Sequence, residues 1–392
     1  MNDFSYLASG NYYFDSACQT LRPQSVIDAE LKYYREYNAC GGRVKYPWGE
    51  RVDNEVNETR ELLLNMLGLS AKKYAVAFTL NATTGINLVL QQVNDKDFTQ
   101  IVTSDIEHNS VFLPSMTYAR KTGLRRVVLS RDENGALVYK KEDLHKAIVI
   151  LNTTSNIDGR NLINVKELAE DIHAQGGVLF LDACQTMGHN PELIKGVDFD
   201  ALFASGHKMY APSVGFVVIR KELLKKLDYF LLGGGTVGDV EKESFQLVED
   251  PDTLYSRIEI GLQDYAAIIG LKEALSWRAD FRTDDAKSAD EYEQDLAKNL
   301  WQELKNIPEL KLLYDQPSPV VSFYTDKIDS HTLGLYVAQQ NIMCRTGYFC
   351  CHYYLKHLKA YPPLFRVSLG LHNTPEQIDF FVQSLKKILF NV

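Results

Sequence analysis

The chain has 392 residues, enough for one very large domain or two ordinary ones. With 45% hydrophobic and 24% charged residues it has the make-up of an ordinary globular protein with a sizeable core, not of a disordered or fibrous one. A formal charge of −9 argues against nucleic acid or an anionic membrane as partner, since both are gripped by clustered Lys and Arg.

In chain order, Tyr12-Tyr13-Phe14-Asp15-Ser16-Ala17 is a short apolar run that ends at a turn. Pro23 opens a helical pattern through Ile27, Leu31 and Tyr34. Residues 37–48, rich in Gly and aromatics, read as a loop; a second helix runs to about Leu67, where Gly68 can cap it. Strands and helices then alternate. Strands are expected at 74–79, 100–103, 125–129, 147–151, 178–182, 200–204 and 215–219. Helices are expected at 83–93, 111–121 and 165–174, with a short one around Glu142. Such alternation predicts an α/β fold with a mostly parallel sheet, of the seven-stranded type, between helices.

The pattern changes near Leu231. Gly233-Gly234-Gly235-Thr236 opens a stretch to about Asp252 with weak periodicity, read as a functional loop or interface segment. Long helices pass through Tyr265, Ile269 and Leu275, then through Tyr292 and Leu300. Strands at 320–324, 342–345 and 365–369 and a helix from Leu333 follow. Thr374, Pro375 and Gln377 form the start signal of a final helix, with Gln377 completing a capping box. The expected organisation is a large domain, 20–280, and a smaller α+β domain made of 281–392 with the N-terminal arm, 1–19. Six cysteines in this length do not make a disulfide framework, so a reducing compartment is expected. The start, Met1-Asn2-Asp3-Phe4-Ser5, lacks a signal peptide's basic and apolar regions, and no apolar stretch nears the ~20 residues that span a bilayer. A cytoplasmic protein is the expectation.

The chemistry gathers around 177–208. Val178–Leu181 and Ala201–Ala204 are short apolar runs that end in Asp182 and in Ser205-Gly206-His207-Lys208. In open α/β sheets ligands sit beyond the carboxyl ends of the strands. A carboxylate at one such end and a lysine past another are the pair that pyridoxal phosphate (PLP) needs: the lysine forms a Schiff base and the aspartate keeps the pyridine nitrogen protonated. A lone lysine is usually a surface residue, so the neighbours decide. Ser205 and His207 can hold a phosphate, and Gln185 can reach the ring hydroxyl. Asn81-Ala82-Thr83-Thr84-Gly85 offers a helix N-terminus and a hydroxyl to an anion, although taken alone an ordinary N-cap explains it better. His108 can lie flat on a ring or be a structural histidine, and Asn156 ends another strand.

These pieces resemble the fold-type I PLP enzymes of the class V aminotransferase and cysteine desulfurase group. Asp182-Ala183-Cys184-Gln185, Ser205-Gly206-His207-Lys208, Asn81 to Asn87 and Glu107-His108 carry the likeness in the large domain. Arg345-Thr346-Gly347-Tyr348-Phe349-Cys350 and Arg366 to Thr374 carry it in the small one, closest to the group II cysteine desulfurases and selenocysteine lyases. The resemblance implies that Lys208 holds PLP, Asp182 pairs with its nitrogen and His108 stacks on its ring. It implies that Ala82, Thr83, Ser205 and His207 hold the phosphate, that Asn156 and Gln185 lie by the ring oxygen, and that Arg366, with Arg345 and Asn156, meets an amino-acid substrate. It also implies a homodimer with shared active sites, in which Thr236 of the Gly233–Thr236 segment touches the neighbour's phosphate. That segment is similar to molybdenum-cofactor sulfurases as well. A small-molecule amino-acid substrate and a sulfur-acceptor protein complete the implied partners.

Cys350 divides two chemistries. As a nucleophile it attacks the sulfur of PLP-bound cysteine, giving alanine and a persulfide, and Arg345 would favour the thiolate. As a buried, inert cysteine it leaves another class V reaction: aminotransferase, epimerase, or selenocysteine or carbon–sulfur lyase. Tyr348 and Phe349 stand where the group II enzymes carry a His pair, and Asn38 to Arg43 lacks the usual His-Arg pair, although Arg43 is close. Cys344, Cys350, Cys351 and His352 lack the paired spacing of a metal site. Ser205-x-x-Lys208 with Lys121-Thr122-Gly123 mimics a serine acyl enzyme, but in the wrong order and without an S-D-N. A regulatory protein on the same scaffold would not need the whole Asp182–Lys208 set.

Overall fold

The structure, a computed structural model, describes residues 3–42, 44–250 and 252–392. Its centre is a seven-stranded sheet. The strands are β1 (Tyr74–Thr79), β2 (Gln100–Ser104), β3 (Arg125–Leu129), β4 (Ala147–Asn152), β5 (Val178–Asp182), β6 (Ala201–Ser205) and β7 (Gly215–Arg220), in the order β1-β7-β6-β5-β4-β2-β3. Only β7 runs against the others. The inner strands are near-continuous Val, Ile, Leu and Phe because both faces are covered. On β1, Tyr74, Val76 and Phe78 enter one apolar layer and Ala75 and Ala77 the other.

Helices α1 (Gln24–Glu36) and α2 (Pro47–Leu67) precede the sheet. Helices α3 (Ala82–Gln92), α4 (Asn109–Thr122) and α5 (Val165–Ala174) connect its strands, and α6 (Tyr265–Asp280) follows and receives α1 and α2. Gly68 ends α2 in the left-handed region, φ 67°, as expected of a glycine C-cap. The alternating strands and helices match the reading of the sequence to within two residues at most ends.

A second, antiparallel sheet is built from β8 (Lys311–Leu312), β9 (Val320–Tyr324), β10 (Arg345–Gly347) and β11 (Leu364–Ser368), in the order β8-β9-β11-β10. It carries α7 (Ala289–Lys305), α8 (Ser330–Ala338) and α9 (Pro375–Asn391). The N-terminal arm joins it: Tyr12–Tyr13 pairs with Ile342–Met343, and the Ser368 N–H donates to the Phe14 carbonyl at 2.8 Å.

Several expectations change. The strand read at 342–345 is two strands with different partners: Ile342–Met343 serves the arm and Arg345–Gly347 serves β11. The helix around Glu142 is a single 3-10 turn, Lys141–Leu144. The loop from residue 37 stops short, since Pro47 and Trp48 already belong to α2. The weakly periodic stretch after Leu231 contains a hairpin, Val237–Val240 with Phe245–Leu247. Thr374 caps α9, but the Gln377 side chain accepts from Asn373 at 3.1 Å and closes no capping box.

Candidate active site

Beyond the carboxyl ends of β1, β4, β5 and β6 lies a cleft of about 280 Å³. Asn81, Ala82, Thr83, His108, Asn156, Asp182, Ser205, His207 and Lys208 line it from the large sheet, and Arg345, Cys350 and Arg366 line it from the small one. Of the residues singled out in the sequence, Gln185 and Thr236 do not line it. Gln185 is buried, with Nε2 donating to the Ala17 carbonyl at 2.8 Å and Oε1 unpartnered among the described residues. The Thr236 hydroxyl closes its own turn on the Gly233 carbonyl at 2.7 Å. Arg43 lies outside the described residues.

The large-sheet wall is built locally. Ser205 ends β6, and the next three residues make a tight turn that leaves Lys208 at the cleft. A side chain on Gly188 would sit 2.1 Å from the Lys208 carbonyl, so only glycine lets that turn approach. Asp182 is buried at the end of β5, where its carboxylate accepts from the Cys184 N–H at 3.0 Å. Asn81 is a true N-cap, accepting from the Thr84 N–H at 2.9 Å, and the Ala82 N–H donates to Ser205 Oγ at 2.9 Å. Opposite, His108 caps α4. Its Nδ1 accepts from the Ser110 N–H at 3.1 Å, and the Ser110 hydroxyl meets Thr83 Oγ1 at 2.7 Å. Burial first, and the Lys208 charge second, push the His108 pKa down to about 4, so its ring is neutral. The same two causes bring His207 to about 4. Behind the wall, buried Glu107 pairs with Arg131 at 3.1 Å and accepts from the Asn152 N–H at 2.7 Å; burial raises its pKa to about 7.

The small-sheet wall is assembled from distant pieces. Arg345 on β10 and Arg366 on β11 are direct cross-strand partners. Like charges in that position repel. Asp15 of the N-terminal arm answers both, at 2.8 Å to Arg366 and 3.8 Å to Arg345. Arg366 is buried, donates to the Asn156 carbonyl at 2.9 Å and lies over the Phe349 ring. Phe349 and Cys350 both take positive φ, 45° and 59°. Such conformations cost non-glycine residues on the order of 1 kcal/mol each. The loop is held in them by Asn156: Nδ2 donates to the Phe349 carbonyl at 2.8 Å and Oδ1 accepts from Cys351 Sγ at 3.2 Å. The Asn109 N–H donates to the Cys350 carbonyl at 2.7 Å. The result separates two adjacent thiols. Cys350 is exposed in the cleft, while Cys351 is buried and its thiol pKa is raised well above the ordinary value by burial. Among the described residues the Arg345 guanidinium makes no hydrogen bond with Cys350; it donates to Cys18 Sγ.

The segment Asp15–Thr20 is what the sequence reading missed. Asp15 holds two arginines, Ala17 and Cys18 line the cleft, and Thr20 Oγ1 donates to the His207 carbonyl at 3.1 Å and accepts from the Tyr210 N–H at 2.7 Å. The visible signal was a run of small polar residues straight after an arm strand. Ser110 was also missed, since one hydroxyl two residues past a histidine has no distinctive spacing.

The donors present fit PLP. A carboxylate faces a lysine for the ring nitrogen and aldehyde, a neutral imidazole forms a flat wall, and a helix N-terminus with two hydroxyls makes an anion cradle. The chain belongs to the class-V aminotransferase family, whose model matches residues 12–381, and is a PLP-dependent enzyme. It is similar to a probable cysteine desulfurase of Haemophilus influenzae, 30% identical over 96% of this chain and 85% of that one. It is similar to another of Borreliella burgdorferi, 28% identical over 96% and 91%. Among solved structures it resembles the Escherichia coli cysteine desulfurase CsdA, with a TM-score of 0.85, 25% identity and coverage of 100% and 97%. The apo cysteine desulfurase of Thermococcus onnurineus shares the fold, with a TM-score of 0.85 at 24% identity over 97% and 95%. The chain is therefore a cysteine-desulfurase-like enzyme of class V. Among the described residues no helix is long and apolar enough to cross a membrane, and no group of three or more His, Cys, Asp or Glu could hold a metal ion.

Proposed function

We propose that this enzyme removes sulfur from L-cysteine, releasing alanine and leaving the sulfur on Cys350 as a persulfide. What carries the reading is the left-handed turn at Phe349–Cys350, which turns one thiol into the cleft that Lys208 and Asp182 share while the next thiol stays buried. Backbone strain held by surrounding contacts is found where a site needs it.

PLP supplies an electron sink at the substrate Cα when bound. Lys208 would anchor it, Asp182 would keep its ring nitrogen protonated, and the neutral His108 would lie against its ring. The Ala82 N–H, the Thr83 and Ser205 hydroxyls and His207 would take the phosphate, and Asn156 would lie on the ring-oxygen side; Gln185, bonded to the Ala17 carbonyl outside the cleft, would not reach the ring. Two arginines share one internal carboxylate, Asp15, so the small-sheet wall keeps a positive charge for the substrate carboxylate. The Cys350 sulfur attacks the substrate sulfur. The S–S bond forms as the Cβ–S bond breaks, the electron pair stays on Cβ, and Cβ is then protonated to give alanine. A sulfur-acceptor protein would collect the product from the exposed thiol.

Residues 20–280 form the cofactor unit in this reading, and 1–19 with 281–392 the unit that presents Arg366 and Cys350. Phe230, Leu231 and Leu232 just before the Gly233–Thr236 segment are exposed, as are Phe245 and Leu262, which suits a homodimer in which that segment meets the partner; Thr236, buried with its hydroxyl on Gly233, would have to open its turn to reach a phosphate. Sedimentation of the holoenzyme should give a dimer, and a monomer with full PLP binding would contradict that arrangement. The chemical proposal is tested with L-cysteine under reductant. Wild type should release alanine and sulfide, and Cys350→Ala should not; undiminished alanine from the variant would sink the persulfide route.

A further inference from the structure

The cleft holds a thiol that the reaction above does not use. Cys18 lines the same cavity as Cys350 and Lys208, half-buried, and is carried there by the N-terminal arm. Its place is fixed with care. The Cys18 N–H donates to the Asp15 carbonyl at 3.0 Å, the Ala17 N–H donates to Ser368 Oγ at 2.9 Å, and the Ala17 carbonyl accepts from Gln185. Thr20 then ties the segment to the Lys208 turn. A second observation bears on the sulfur itself. Arg345, two residues after the arm-paired strand and five before Cys350, directs its guanidinium to Cys18 Sγ as well as to Asp15, and among the described residues makes no hydrogen bond to the cysteine of its own loop. A charge-assisted donor on sulfur is what a thiol needs if it is to act as an anion. The other cysteines differ. Cys184, Cys344 and Cys351 have thiol pKa values raised by burial, and Cys40 lies outside this cavity.

We propose that Cys18 is a second sulfur carrier of this active site, receiving the outer sulfur of the Cys350 persulfide. The inference rests on the desulfurase reading. Cys18 Sγ attacks the outer sulfur of the Cys350 persulfide. A new Cys18 S–S bond forms, the old S–S bond breaks with its electron pair returning to Cys350 Sγ, and the proton of the Cys18 thiol is passed on. No oxidant or reductant is consumed. Cys350 is regenerated for another substrate, while the stored sulfur waits beside Arg345 at the rim. The enzyme thus holds two sulfurs per site where one attacking thiol would hold one.

The test counts alanine and locates sulfur. PLP-loaded wild type, Cys18→Ser and Cys350→Ser are given excess L-cysteine without reductant, quenched with an alkylating agent and analysed as peptides by mass spectrometry. The PLP absorbance of each variant reports that its cofactor site is intact. Wild type should stall after two alanines per site, with one extra sulfur on each of the Cys18 and Cys350 peptides. Cys18→Ser should stall after one, with the sulfur on Cys350, and Cys350→Ser should give neither alanine nor a sulfurated Cys18. Wild type that stalls after one alanine with sulfur on Cys350 alone overturns the relay and leaves the desulfurase reading intact. Alanine and a Cys18 persulfide from Cys350→Ser overturn both the relay and the role of Cys350. No alanine from wild type removes the desulfurase reading and the relay with it.

Discussion

The two walls of the cleft are built in opposite ways. The wall that suits the cofactor hangs from consecutive strand ends of one sheet, so Asp182, Ser205, His207 and Lys208 fall within 27 residues of sequence. The wall that suits the substrate joins Asp15 and Cys18 to Arg345, Cys350 and Arg366 across most of the chain. The first is fixed by the packing of a buried sheet. The second depends on an arm strand two residues long and on one carboxylate between two arginines. In this reading cofactor chemistry is set by one continuous sheet, and reaction choice by contacts between segments far apart in the chain.

Substitutions can break this division. Lys208→Ala should have the largest effect, removing the visible absorbance of bound PLP and cutting turnover on the order of 10⁴-fold or more, because an anchoring nucleophile is lost. Cys350→Ala should leave that absorbance in place and reduce alanine formation roughly 100-fold or more. A variant that loses cofactor instead would show that the walls are not separable. Asp15→Asn should cost about 2 kcal/mol of unfolding free energy, between an exposed and a buried ion pair, because Arg345 and Arg366 are left facing each other. An unfolding midpoint within experimental error of wild type would mean that the arginines find other partners.

The smallest effect sharpens the account of burial. His108, His207 and His372 all have pKa values lowered to about 4 from an ordinary 6.5, each chiefly by burial. The unfolded chain therefore binds more protons than the folded one between these values, and stability contributed by the neutral rings is lost as pH falls toward 4. Glu107, raised to about 7, acts in the opposite sense, as do His173, Asp105 and Glu30 with smaller upward shifts, and the three strongly shifted rings outweigh them. Thermal unfolding should move to lower temperature between about pH 7 and about pH 5. His372→Gln should flatten that slope, and an unchanged slope would place the titration elsewhere.

The same division explains what was legible in the sequence. The large sheet could be read strand by strand, because a strand buried on both faces is a continuous apolar run bounded by turns. Lys208 and Asp182 follow directly from where two such runs end. Cys350 and Arg366 were visible only through their likeness to a family loop and strand. The partners that set their chemistry were not: nothing near Arg345 announces that it will face Arg366, that Asp15 will sit between them, or that Cys18 will take its hydrogen bond. Cross-strand register and arm docking are long-range outcomes, and the period-two pattern of a three-residue strand is too short to encode them. The strand read at 342–345 failed for the same reason, since its two halves serve different partners.

On the proposed mechanism one wall binds PLP while Cys350 on the other takes sulfur from cysteine. The most direct measurement follows PLP absorbance and alanine release in the same sample of Cys350→Ala given L-cysteine. A full cofactor spectrum that responds to substrate is expected, with alanine all but absent. Alanine at the wild-type rate would contradict it.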